Sequence, residues 1–220
     1  MISENLTKVQ DLINKASTLA GRNPDDVELM VAAKYGTTEQ IEELIDLGVT
    51  HIGENRLNQA QRWLDHPLRG KFQLHMIGHL QTNKAKISTK LFDAIDTVDS
   101  EKLAEILNAQ LDKPLPIMIE VNISGEEQKS GCKIDDFLPL ADFISNKCPN
   151  LQLFGVFTMT PVDCDDKIRE SIYIRADKLA VSLEDKIKAK IHRCYGMTDD
   201  FELAIMNGAT LVRIGRAIFY

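Results

Sequence analysis

VELMVAAKYG, residues 27–36, is a near-continuous apolar run that closes on a lysine and a glycine. An apolar stretch of this length, with no polar residue at every second position, reads as a strand buried on both faces. Working outward, seven further runs of the same kind follow at 49–54 (VTHIGE), 71–77 (KFQLHMI), 92–98 (FDAIDTV), 116–122 (PIMIEVN), 151–157 (LQLFGVF), 190–195 (KIHRCY) and 210–214 (TLVRI). Helix-like segments separate them near 38–47, 55–65, 79–86, 100–110, 134–146, 166–187 and 199–207. Several open on capping residues: Thr37 three before Gln40, Ser100, and Thr198 ahead of Asp199 and Asp200. Gly48 and Gly208 fit helix C-termini. Strands alternating with helices make a parallel sheet with crossovers on its faces. Eight such units predict an α/β fold of the single (β/α)8 TIM-type barrel kind, with an open doubly wound sheet as the alternative. Residues 1–26 supply an extra N-terminal helix, expected to cover the surface that a helix after the last strand would otherwise cover.

The composition agrees with one sizeable domain, residues 1–220, with the leading helix in 1–26 and the barrel in 27–220. Hydrophobic residues are 44% and charged residues 27% of the chain, which excludes disordered and collagen-like classes. With 26 basic and 33 acidic side chains the net charge is −7, which disfavours nucleic acid and anionic membranes as partners. The four cysteines, Cys132, Cys148, Cys164 and Cys194, form no C-x-x-C and read as free thiols of a reducing compartment. The N-terminus is amphipathic instead of signal-like, and no run is long enough to span a bilayer, so a cytoplasmic location is expected.

Ligands of a parallel barrel sit at the C-terminal ends of its strands. Lys34 follows the first strand, where apolar neighbours would hold its amine poorly solvated. Such an amine attacks carbonyls to form a Schiff base, whereas a lysine in open solvent only begins a loop. After the seventh strand, Thr198 precedes a helix N-terminus, which favours a phosphate. After the eighth, Arg213, Gly215 and Arg216 add charge and a glycine that admits close backbone approach. Each feature alone is commonplace. Around one mouth they suit a phosphorylated aldehyde, of which pyridoxal 5′-phosphate is the common case. His75 and His79 are spaced H-x-x-x-H, but Met76, Ile77 and Gly78 read as strand end and turn, which argues against zinc. Glu126, Glu127, Gln128 and Lys129 read as a solvated loop over the mouth.

Eight blocks then point to a family: VAAKYG (31–36), HIGENRLNQA (51–60), HMIGHLQTNKAK (75–86), DTVDSEKLA (96–104), EVNISGEEQKSG (120–131), GVFTMTP (155–161), YGMTDDFELAI (195–205) and GATLVRIGRAIF (208–219). In that order they resemble the pyridoxal phosphate homeostasis proteins, single-domain relatives of the N-terminal barrel of alanine racemase. The resemblance implies that Lys34 holds the cofactor as an internal aldimine. It implies that Thr198, Arg213, Gly215 and the backbone of Arg216 bind its phosphate, and that Asn55 and Asn83 line the mouth near the ring. Several positions depart from the family's usual residues: Thr198 stands where Ser is usual, Arg216, bulkier and cationic, where a small Ser or Thr is usual, Cys194-Tyr195 where Ser-Met is common, and the final IFY where IFG with a short tail is usual.

The function expected is thus binding of pyridoxal 5′-phosphate in cofactor homeostasis, without significant catalysis, by a cytoplasmic monomer that supplies PLP-dependent apo-enzymes. The alternative is a PLP-dependent amino-acid racemase. That reaction needs a second acid/base opposite the lysine, which related racemases take from a β domain for which this chain leaves no residues. Only Tyr35 or Tyr195, turned inward, could substitute. A third class, a cofactor-free barrel enzyme using Lys34 on a phosphosugar, would leave the protein colourless.

Overall fold

The structure, a computed structural model, describes residues 1–220. Eight parallel strands close into a barrel in which each pairs with its sequence neighbours and the last pairs with the first. They are β1 (Glu28–Ala32), β2 (His51–Glu54), β3 (Gln73–Met76), β4 (Ala94–Val98), β5 (Leu115–Glu120), β6 (Leu151–Phe157), β7 (His192–Cys194) and β8 (Leu211–Ile214). Closure is carried by the register of β1 on β8, which sets Met30 beside Arg213 and Val31 beside Ile214. The open doubly wound alternative is thereby excluded.

The helices are α1 (Ile2–Leu19), α2 (Thr38–Asp46), α3 (Leu57–Ala60), α4 (Ala85–Leu91), α5 (Glu101–Asn108), α6 (Ile134–Lys147), α7 (Asp166–Ile187), α8 (Phe201–Met206) and α9 (Arg216–Phe219). Capping chemistry sets several starts. Thr37 and Gln40 form a reciprocal capping box on α2, Ser100 accepts from the Leu103 amide on α5, and Asp165 accepts from the Ile168 amide on α7. The leading helix α1 lies against α8 and α9, tied by Asn5, whose amide donates to the Ile218 carbonyl at 3.1 Å. It therefore covers the seam beside β8, as its position before the first strand suggested. No helix is long and apolar enough to cross a membrane.

Two expected helices differ. The segment 55–65 yields only α3 and a short turn through Trp63, because Trp63 is buried with its indole N–H donating to Glu54 at 3.1 Å and pulls the chain inward. The segment 79–86 begins as a mouth loop, and the helix forms only at Ala85, where Ala85, Ser88 and Leu91 repeat at helical spacing and are buried.

Apolar packing comes in two parts. A shell of 53 buried residues lies between strands and helices, and a plug of seven, Met30, Ala32, Ile77, Met118, Phe157, Cys194 and Leu211, fills the barrel itself. Filling makes the barrel a packed core and leaves a ligand only the mouth.

Candidate functional site at the barrel mouth

β1 ends at Ala32, and the chain tightens into a turn over Ala33–Tyr35. Lys34 is therefore on the turn, beyond the strand expected to contain it, and it is exposed. Its ammonium lies 4.7 Å from the Tyr35 ring centroid. The poorly solvated setting expected for this lysine is thus reduced to one aromatic face. A Cβ at residue 215 would stand 2.5 Å from Tyr35 Cδ2, so only glycine lets the loop after β8 lie against the lysine turn. Asn55, directly after β2, points a buried Oδ1 with no hydrogen-bond partner.

The loop after β7 turns at Gly196, whose φ of +94° is the left-handed region that glycine tolerates. α8 begins only at Phe201, so the capping position falls to Asp200 and not to Thr198. Asp200 does not cap; its carboxylate reaches backwards instead. Oδ1 accepts from the Met197 amide at 2.6 Å, while Oδ2 accepts from the Thr160 hydroxyl at 2.8 Å and the Tyr173 hydroxyl at 2.6 Å. Burial, with Asp200 beside it, pushes the Tyr173 hydroxyl well above the ordinary range, so it stays a donor. One carboxylate thus ties the Met197–Thr198 loop to the segment after β6 and to α7.

Arg213 is buried on β8. Its guanidinium donates to the carbonyls of Cys194 at 2.7 Å and Thr158 at 3.0 Å, and lies 4.0 Å from the centroid of the Phe157 ring. It forms part of the floor of the mouth. Beneath it the Cys194 thiol is pushed up to about 12 by burial, against which the guanidinium acts.

A cavity of about 390 Å³ opens above that floor. Lys34, Asn55, Thr198, Arg213, Gly215 and Arg216 all line it. Asn83 does not: it is exposed and faces a separate depression with His79 and Asp99, because the late start of α4 carries residue 83 away from the mouth. Arg169, on α7, lines the cavity without having been marked by any motif, and its buried Nε makes no hydrogen bond but lies 3.8 Å from Asp200 Oδ2. Its signal in the sequence was only that of one charge among many on an amphipathic helix. Of the two tyrosines named as candidates to face the lysine, Tyr195 turns outward, stacking on Tyr173 and donating to the Asn207 carbonyl at 3.0 Å. A wider groove of about 510 Å³ lies at the other end of the barrel, between α1 and the N-terminal ends of β1 and β2. It gathers no lysine, arginine or orphaned donor.

Residues 5–220 match the family described as alanine racemase, N-terminal domain. The pyridoxal phosphate homeostasis protein of Vibrio alginolyticus is 34% identical over 229 residues, spanning 99% of this chain and 96% of the relative. This chain belongs to the alanine racemase N-terminal domain family, in the branch of the pyridoxal phosphate homeostasis proteins. PipY of Synechococcus elongatus PCC7942, solved with PLP bound, superposes with a TM-score of 0.80 at 25% identity over all of both chains. Alanine racemase of Clostridium difficile 630 shares the fold, with a TM-score of 0.75 and 14% identity, over 99% of this chain and 56% of its own. The family read from the eight sequence blocks is therefore the family shown over the whole chain.

Proposed function

We propose that this chain binds pyridoxal 5′-phosphate at the barrel mouth through Lys34 and serves cofactor homeostasis without turnover of its own. The observation that carries the reading is that one cavity is lined both by Lys34 and by the loops after β7 and β8. The residues fit the group. The cavity falls in the range of roughly 300–1,000 Å³ usual for small ligands, and Asn55, which lines it, has a buried Oδ1 left without a hydrogen bond.

Pyridoxal phosphate supplies an aldehyde, with which an amine condenses with loss of water. Lys34 is the only lysine lining the cavity and provides that amine. Thr198 offers a hydroxyl, and Gly215 and Arg216 open α9, where the first amides have no carbonyl a turn earlier. These suit a phosphate. Arg213 has its fork committed to Thr158 and Cys194, so in this reading Thr198, Gly215 and Arg216 would hold the phosphate in its stead. Asn83, outside the cavity, has no part in this reading.

Restraint from catalysis is supported by the tyrosines. Racemisation needs a second acid/base across from the lysine, and Tyr35 stands beside Lys34 while Tyr195 is buried behind the wall. The same reading has the chain act as a cytoplasmic monomer that supplies apo-enzymes; its four unpaired thiols suit a reducing compartment.

The test is the visible spectrum of the purified protein before and after borohydride, with the modified residue located by peptide mass spectrometry. Absorbance that borohydride fixes onto Lys34, and that Lys34→Ala abolishes, is expected. A colourless wild type that takes up no added pyridoxal phosphate overturns the reading. Interconversion of L- and D-alanine at about 1 per second or faster, a rate usual for enzymes, would overturn its non-catalytic half.

A further inference from the structure

Arg216 and Asp199 form an ion pair across the mouth, joining the loop after β7 to the first turn of α9, and both line the cavity. Both are more than half exposed, at 54% and 60% of the side chain, so nothing but each other holds them. An exposed pair of this kind is weak and salt-sensitive. The remaining charges of the mouth are differently engaged. Arg213 is locked into the floor by two carbonyls, Asp200 is saturated by three donors, and Arg169 is paired with Asp166 at 2.9 Å. Arg216 is therefore the guanidinium of this wall whose partner is cheapest to exchange.

We propose that Arg216 is an exchangeable latch for the phosphate of a bound phosphorylated aldehyde, and that Asp199 competes with that phosphate for it. A guanidinium presents a planar fork that serves one anion bidentately, either carboxylate or phosphate. Thr198 lies next to Asp199, and Gly215 next to Arg216, so the pair brackets the atoms assigned to the phosphate. A phosphate dianion between them draws Arg216 off Asp199 and leaves the aspartate facing solvent. Asp199 thus lowers retention, and Arg216 raises it, through one shared guanidinium. The inference rests on the proposed function and names a residue that sets how firmly this site selects a phosphate ester.

The test is a double-mutant cycle on full-length protein, measuring equilibrium affinity for pyridoxal 5′-phosphate and for pyridoxal at pH 8 and low salt. Arg216→Ser is expected to weaken pyridoxal phosphate by about tenfold, the scale of a charge-assisted contact, and to leave pyridoxal unchanged. Asp199→Asn is expected to tighten pyridoxal phosphate about two- to fivefold, the scale of an exposed ion pair, and to do nothing in the Arg216→Ser background. Thermal melts of both variants should match the wild type, so that a loss is not one of folding. If Asp199→Asn tightens binding equally with and without Arg216, Asp199 acts by simple repulsion and the latch is overturned. Unchanged affinity in Arg216→Ser overturns it as well. Both results leave the proposed function standing, whereas a wild type that binds no pyridoxal phosphate removes function and latch together.

Discussion

His51 and His75 face each other nitrogen to nitrogen, Nδ1 to Nε2, at 3.0 Å inside the barrel. Beyond them, His51 Nε2 meets Glu28 at 2.7 Å and His75 Nδ1 meets Asp96 at 3.0 Å. Glu28, His51, His75 and Asp96 thus form one row of polar groups running from the half-exposed Glu28 to the buried Asp96. The apolar plug separates this chain of groups from the mouth, so its work is structural.

The chain is most dependent on its dry end. His75 and Asp96 are both fully buried, whereas Glu28 is half exposed. His75→Ala would strand Asp96 and should cost about 3–5 kcal/mol, the scale for breaking a buried pair. His51→Ala leaves Glu28 to water and should cost about 1–2 kcal/mol. Urea unfolding of the two variants checks the order; equal losses would show that the four groups are not one chain.

Asp200 should behave as the positioning residue of the Met197–Thr198 loop. Asp200→Ala removes the acceptor of three hydrogen bonds at once and strands buried donors at Thr160 and Tyr173. A loss of about 3 kcal/mol is expected, which lowers Tm by about 6–12 °C in a chain of this size. Pyridoxal phosphate retention should fall with it by at least about tenfold. Tyr173→Phe, which removes one of the three bonds, should cost about 1 kcal/mol and spare retention. Retention intact in Asp200→Ala would show that the loop holds its shape without the carboxylate.

How much of this was legible beforehand differs by residue. The place of Lys34 at the mouth was legible because the rule that ligands gather at strand C-termini needs only the end of an apolar run. The placement of Thr198, Gly215 and Arg216 around the same cavity was legible for the same reason. The role of Asp200 was hidden because its partners come from 40 and 27 residues upstream, on segments whose meeting only the closed barrel fixes. Arg213 was misassigned in depth: strand alternation aims its side chain into the barrel, which a residue count alone does not reveal. Asn83 was displaced by a local matter, the mouth loop that delays α4.

Arg213 should prove irreplaceable by lysine. Its fork serves two carbonyls on different strands' ends while its plane covers Phe157, and an ammonium on a flexible stem reproduces neither geometry. Both Arg213→Lys and Arg213→Gln should lose about 1–3 kcal/mol, from buried carbonyls left without donors. Denaturant unfolding of the apo-protein checks this apart from any ligand, and wild-type stability in Arg213→Lys would overturn it.

Acid should loosen the barrel in two stages. Burial, with the neighbouring His51 and His75 adding to it, holds His192 below its ordinary 6.5, although Glu28 pulls the other way; its Nδ1 is buried without a partner. The unfolded chain then binds more protons at this site, so the stability tied to a neutral His192 is present above about pH 6.5 and is lost as pH falls below it. The hydrogen bond from His51 holds Glu28 below its ordinary 4.5, partly offset by burial, so its contribution is present above about pH 4.5 and lost on further acidification. Glu120 runs the other way: burial raises it, and protonation relieves its orphaned Oε2. The comparison that isolates the first stage is therefore His192→Phe against wild type, by urea unfolding from pH 7.5 to 5. The difference in stability between them should shift in favour of the variant as pH falls. A constant difference across that range would mean that His192 takes up its proton in the folded barrel as readily as in the unfolded chain.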